Sequence, residues 1–287
     1  MRSIRYTLII SLLLFSASGC YQEDLVNKDQ QVQEPSNDPL DILIQEQFVD
    51  PYGVAVRYRF VDRYVDPNKR VSPPRLDVVE PVLDFLTKFW IEPYLQVPNG
   101  ETFFKAHVPA EIVLIGSSIF NSDGTVTLGT ADSGARITLT EANDIDESNT
   151  AWVLRQLGTI YHEFAHIIHQ RYNLPPNFQQ ISPQGYTSSG SWFTLSDDEA
   201  LRRGFVSPYG TSSFNEDYAE IVAFVLFEPD FYELYINEEE DCTDVDCVER
   251  NEGRALIRSK YNLILDHYEQ NTGVDLLKVR EIIQDRL

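Results

Sequence analysis

Apolar positions change their period several times along this chain, and each change predicts an element. Leu40, Ile42, Leu43, Ile44 and Phe48 suggest a short helix, and Val54 to Phe60 alternates as a half-buried strand does. Pro73-Pro74 interrupts the chain, after which Val79, Val82, Phe85, Leu86 and Phe89 recur at helical spacing within Val78–Leu95. Short β-like runs follow at Glu111–Gly116, Thr125–Leu128 and Ala135–Thr140, with Asn121-Ser-Asp-Gly124 as the turn between the first two. A long helix is expected from about Asn149 to Arg171, closed by Pro175-Pro176. Residues 177–213, rich in Gly, Ser, Gln and Tyr and without a clear period, read as an extended loop. A second strong helix is expected from Phe214 or Asn215 to about Phe227, stopping before Pro229. Two more helical patterns, Arg254–Tyr268 and Asp275–Arg286, flank a break at Asn271-Thr-Gly273. Helix and sheet come first and a mostly helical half follows, an α+β arrangement.

The first residues have a different character. Arg2 and Arg5 precede an apolar run from Tyr6 to Phe15, and Ser16 to Gly19 are small residues leading to Cys20. The run is short for a membrane span and matches a secretion signal over residues 1–19. A Cys directly after Ala17-Ser-Gly19 resembles a bacterial lipoprotein signal, in which that Cys becomes an acylated N-terminus; Ala17 stands where Leu is usual. Acyl chains would then be the protein's hold on a membrane. Residues 20–37 are polar, lack apolar periodicity and read as a flexible tether, so that 38–287 form the folded domain.

Composition narrows the field. With 43% hydrophobic and 24% charged residues, the 287-residue chain has enough apolar side chain for a large core. Its 23 Lys+Arg stand against 45 Asp+Glu, a formal charge of −22. Such a surface repels phosphate backbones and anionic headgroups, which argues against nucleic acid and against electrostatic membrane docking.

The chemistry concentrates in one place. The chain has five His, and three fall in His162-Glu-Phe-Ala-His166-Ile-Ile-His169. His162 and His166, four apart, share one face of a helix and can bind one metal ion. Glu163 lies about 100° around from His162, where a carboxylate reaches a water on that metal. The flanking Leu157, Ile160, Tyr161, Phe164, Ala165 and Ile168 bury the helix, which favours the neutral imidazole that ligates zinc. Catalytic zinc usually takes three protein ligands. The metzincin pattern is excluded, because His169 stands where it needs Gly and Tyr172 where it needs His. The third ligand is then sought in Asn215-Glu-Asp-Tyr-Ala-Glu220. Glu216 and Glu220 share a helical face, and in Glu-ligand zincins the first carboxylate binds metal while the one four residues on orients a histidine. That favours Glu216 as ligand and Glu220 as its support, with Asp217 and Glu220 as competitors for the metal. His169 points roughly to the same side and is a candidate support or substrate contact.

Cys242 and Cys247 can close a small disulfide in an exported protein. Asp241, Asp244, Asp246 and Glu249 around them do not match a spaced calcium loop and read as a solvated acidic surface.

The run HEFAHIIHQ, His162 to Gln170, resembles the HExxHxxHQ signature of a family of bacterial zinc metallopeptidase lipoproteins. The lipoprotein-like leader, Phe48-Val-Asp-Pro-Tyr52 and the acidic block at 216–220 fit the same family. The resemblance implies a zincin-like, gluzincin-type fold, a zinc ion and hydrolase activity on a peptide or glycoprotein. It also implies an outer-membrane lipoprotein associated with TonB-dependent, SusD-type import. The segment Tyr209 to Glu220 is in addition similar to the anthrax lethal factor class, where a Tyr seven residues before the Glu ligand faces the metal; this makes Tyr209 a catalytic candidate. The alternative is a lipoprotein that keeps the metal and only captures substrate for an importer.

Overall fold

A computed structural model describes residues 36–61, 64–121, 126–127, 129–132, 136–187 and 190–287. The signal segment, Cys20 and the tether up to residue 35 lie outside the described residues. Among those described, no helix is long and apolar enough to cross a membrane. The chain divides into two units, Met1–Asp41 and Ile42–Leu287, and the described elements belong to the second apart from the start of the first helix.

Helix α1, Pro39–Ile44, continues through a π-turn, Gln45–Val49, and a last turn, Asp50–Tyr52, that ends on Gly53 with φ +71°. The strand expected over 54–60 is short: β1 covers Ala55–Arg57. The helix expected over 78–95 is interrupted. It begins as α2, Leu76–Leu86, loosens into a π-turn at Thr87–Ile91 and resumes as α3, Glu92–Leu95. Pro93 is one physical reason, since it has no N–H to offer the Phe89 carbonyl four residues back. The Tyr161 hydroxyl donates to that carbonyl instead.

Helix α4, Gly100–His107, was not expected from the pattern and packs Phe103 and Phe104 into the core. The sheet then forms from β2 (Glu111–Leu114), β5 (Gly129–Asp132) and β6 (Arg136–Leu139) together with β1. Its order is β1-β2-β6-β5, with β1 and β6 parallel to β2 and β5 antiparallel to β6. Between β2 and β5, β3 (Ile119–Phe120) and β4 (Val126–Thr127) pair as a separate ribbon, and the turn expected at 121–124 lies mostly outside the described residues.

Helix α5, Thr150–Tyr172, is capped by Asn149, whose side chain accepts from the Trp152 amide. It packs against β5 and β6 and, most extensively, against the helix that carries Glu216. Phe164 fixes its rotation. The ring lies 5.5 Å from those of Trp90 and Tyr94 and 5.9 Å from those of Phe103 and Phe104, all buried. Phe164 is about 200° around the helix from both His162 and His166, so seating it in the core turns both histidines to the opposite side.

The region 177–213 is not simply loop. Helix α6, Asp197–Arg202, starts with a reciprocal capping box between Ser196 and Glu199, and short 3₁₀ turns include Tyr209–Ser212. Helix α7, Phe214–Phe227, agrees with its pattern. Helix α8, Val245–Thr272, starts nine residues earlier than its apolar pattern, and α9, Leu276–Gln284, closes the chain. The extra turns of α8 are held by charge: Arg250 and Arg254 bind Glu239 at 2.7 and 2.8 Å, and Arg202 meets Asp246 and Glu249 at 2.9 and 3.3 Å. The acidic segment is therefore partly ion-paired, and Asp244 caps α8. Cys242 and Cys247 are joined in a disulfide.

Gly253 lets α8 meet α6 closely; a Cβ there would come within 1.8 Å of the Leu201 carbonyl oxygen. Gly253→Ala should lower stability by about 1–3 kcal/mol although alanine is the better helix former. A denaturation midpoint equal to or above the parent's would contradict this contact.

Candidate metal centre

Each member of the site is placed by a local device. The helix α5 rotation set by Phe164 presents His162 and His166 toward α7. On α7, Ser213 caps the first turn by accepting from the Glu216 amide at 3.2 Å. A Ser with Glu three residues on could form a closed capping box, as Ser196 and Glu199 do. Here the Glu216 side chain turns instead to the histidines.

The result is a near-equilateral triangle of donor atoms. His162 Nε2 and His166 Nε2 are 3.0 Å apart, and Glu216 Oε2 is 3.0 Å from the first and 3.1 Å from the second. Ligands around a tetrahedral zinc at bond lengths near 2.0–2.1 Å are separated by about 3.3 Å, so the donor set fits that ion with a small expansion. His162, His166 and Glu216 are also the kinds of ligand zinc takes. A second grouping, Glu239 with Cys242 and Cys247, lacks that capacity because its sulfurs are spent in the disulfide.

The three carboxylates of the α7 turn separate cleanly. Glu216 faces the histidines. Glu220 Oε1 lies 2.7 Å from His162 Nδ1, off the line of a good hydrogen bond, and accepts from the Ser207 hydroxyl. Asp217 points elsewhere and is wholly buried. Its Oδ2 receives Lys260 Nζ and the Tyr186 hydroxyl, each at 2.7 Å, while Lys260 also donates to the Gly204 carbonyl at 2.8 Å and lies over the Phe205 ring. Asp217 is thereby removed from the competition for metal.

Charges within the cluster act strongly on one another. Burial works against a charge on His162, but Glu216 and Glu220 outweigh it and raise its pKa to about 10. Burial also opposes the Glu216 carboxylate, and the two histidines hold it well below the usual range. Burial and the neighbouring His166 lower His169 to about 4. His169 Nε2 sits 2.9 Å from His166 Nδ1, so a neutral His169 can hold the ring that faces Glu216.

Glu163 is 8% exposed, beside His162 on α5. Tyr209 is 37% exposed, with its ring 5.6 Å from that of His162 and 5.0 Å from that of Trp192. Burial, then the charges of Glu216, Glu163 and Glu220, raise its phenol well above the ordinary value, so it is a proton donor and not a phenolate. Tyr172, at the position excluded for a metzincin ligand, bonds His107 at 2.9 Å.

A model of the family described as "Putative zinc-binding metallo-peptidase" matches residues 33–277. The chain belongs to this family. Zinc binding and a metallopeptidase character follow at the level of the family. A crystal structure described in the same words, from Bacteroides caccae, superposes with a TM-score of 0.69 at 29% identity, covering 86% of this chain and 90% of that one. No curated protein matches the chain. The mixed helical and mostly parallel sheet architecture is that of a metallo-peptidase relative, in agreement with the coarse α+β expectation.

Two functional neighbours were not singled out from the sequence. Ser207 carries no motif of its own, because its partner Glu220 is thirteen residues away. Lys260 did carry a signal: it is a cation set between Ile257, Tyr261 and Ile264 on the buried face of α8.

Proposed function

We propose that the chain is a zinc-dependent peptidase of gluzincin type, with His162, His166 and Glu216 as ligands and Glu163 as general base. The observation that carries this reading is the triangle of donor atoms with the Glu163 carboxylate on the adjoining helix position. Zinc held there would bring a bound water's pKa toward neutrality and polarise a substrate carbonyl. Glu163 takes the proton from the attacking water and delivers it to the leaving amine. Glu220, tied to Ser207, keeps His162 in place, and His169 does the same for His166. Tyr209 donates its phenolic proton in a hydrogen bond to the carbonyl oxygen as that atom gains charge. A protein that only captured substrate would have no use for a buried Glu163 at this position, which favours the enzyme over the binding lipoprotein.

Incubating the purified protein with a mixed peptide library, with and without a zinc chelator, tests the activity. Cleavage that stops with chelator and returns with zinc is expected; an intact library would sink the reading. Tyr209→Phe keeps the ring and its packing on Trp192, so kcat should fall about a hundredfold with KM nearly unchanged. Turnover within about twofold of the parent at normal zinc content would remove Tyr209 from the mechanism.

The anchoring by an acylated Cys20, outer-membrane residence and a TonB-dependent receptor or SusD-like partner belong to the same proposal and rest on the leader and the family resemblance. Cys20→Ser should move the protein from the membrane fraction to the soluble one; a variant still bound after a carbonate wash would refute the anchor.

A further inference from the structure

A cleft of about 590 Å³ lies at the C-terminal end of α5, and its wall reaches the metal centre. His169, 2.9 Å from His166, lines it, as do Phe214 and Asn215 immediately before Glu216. The lining has an unusual chemistry for a chain of net charge −22: it includes no Asp, Glu, Lys or Arg. In their place stand six carboxamides, Gln170, Asn173, Asn177, Gln179, Gln180 and Asn215. Among the described residues, none of these six side chains hydrogen-bonds to another group of the protein. Asn143 and Asn251, by contrast, are fully occupied in holding backbone and side chains elsewhere.

The segment presenting four of the six is rigid. Asn177 takes a left-handed φ of 66°, a conformation Asn tolerates better than most residues, and Pro175-Pro176 immediately precede it. Backbone bonds Phe178 N to Pro175 O (3.1 Å) and Gln180 N to Asn177 O (2.9 Å) close the turn. Phe178 pins it from below, fully buried with its ring 6.1 Å from that of Tyr218 on α7. A backbone ordered before a ligand arrives confines the entropy lost on binding to the rotamers of the carboxamide side chains.

We propose that this cleft receives an uncharged, extended stretch of the substrate polypeptide and reads its main chain through the carboxamides. The inference rests on the peptidase reading for the direction in which the substrate runs, from the metal centre into the cleft. A carboxamide carries an acceptor and a donor side by side, matching the N–H and C=O of extended backbone whatever the side chains are. Sequence-tolerant recognition of this kind needs no ion pair, and the lining offers none. An oligosaccharide also bonds to amides, but sugar sites use aromatic faces for stacking, and here Phe178 is buried, leaving only Phe214.

The test uses the full chain as its zinc-loaded Glu163→Gln variant, so that binding is read without turnover. The probe is a fluorescein-labelled octapeptide of alternating Ala and Ser, with a second version methylated on alternate backbone nitrogens. Gln170→Leu and Gln179→Leu remove two exposed carboxamides with no internal bonds. Each should weaken binding by about fivefold, the worth of one neutral hydrogen bond. Backbone methylation should weaken binding to the unaltered cleft and have a smaller effect in the double leucine variant. Added salt should leave the affinity nearly unchanged. Absent binding, equal binding by the leucine variants, an equal methylation effect in both, or preferential binding of maltohexaose would each overturn the proposal. Hydrolysis by the chain that retains Glu163 is read separately. Carboxamide-dependent binding without cleavage leaves this inference standing and removes the catalytic one; cleavage insensitive to the leucine substitutions does the reverse.

Discussion

Glu163→Gln should keep about one zinc per chain and lose about a thousandfold in kcat, the scale of a well-placed general base. Glutamine has nearly the volume of glutamate, so the packing of this 8%-exposed side chain is retained. The three donor atoms belong to His162, His166 and Glu216, and none comes from residue 163, so metal content should not change. What is lost is the ability to accept the proton of the attacking water. Zinc analysis on the folded variant and kcat on any peptide the parent cleaves decide the matter. Activity close to the parent's would assign the base elsewhere, and loss of zinc would make Glu163 part of the metal's support.

The second large effect concerns stability. Lys260→Met should destabilise the fold by about 3–5 kcal/mol, because it leaves Asp217 as a buried charge without its cation. Both side chains are almost completely sequestered, at 0% and 1% exposure. Burial raises the Asp217 carboxyl to about 6 and lowers the Lys260 ammonium, while their attraction opposes both shifts. Adding Asp217→Asn to Lys260→Met removes the stranded charge and should recover part of the loss, with Tyr186 still able to bond the amide. Urea midpoints of parent, single and double variants provide the measurement. A single variant within about 1 kcal/mol of the parent would show that the pair is not what holds α8 against α7.

The helices that carry the centre were legible because their apolar positions recur at one period over many turns, as Leu157, Ile160, Phe164 and Ile168 do on α5. The His162–His166 spacing and the Glu216–Glu220 pair were equally local. Local information stops at the choice among Glu216, Asp217 and Glu220, since a helix wheel alone does not say which side meets α5 and which meets α8. The pairing of Asp217 with Lys260, forty-three positions later, is what separates them. The pairing of the strands was hidden for the same reason: β1 pairs with β2 and β2 with β6 across long connections, and parallel pairing leaves no hairpin turn to read. The break at Thr87–Ile91 was masked by apolar residues that keep a helical period through it. Helix α6 was overlooked because six residues with only Ala200 and Leu201 apolar show no period, although Ser196 and Glu199 spell out its start.

Division of the proposed ligand set between α5 and α7 also has a consequence in time. His162 and His166 leave the ribosome within four residues of each other, but Glu216 follows fifty residues after His166. Until α7 docks along α5, the two imidazoles lack the Glu216 carboxylate, and a pair has a much weaker hold on a metal ion than the complete triangle. On the proposed ligand set, metal uptake would be tied to the completion of tertiary structure, and a chain stalled before α7 has been made would stay without a centre.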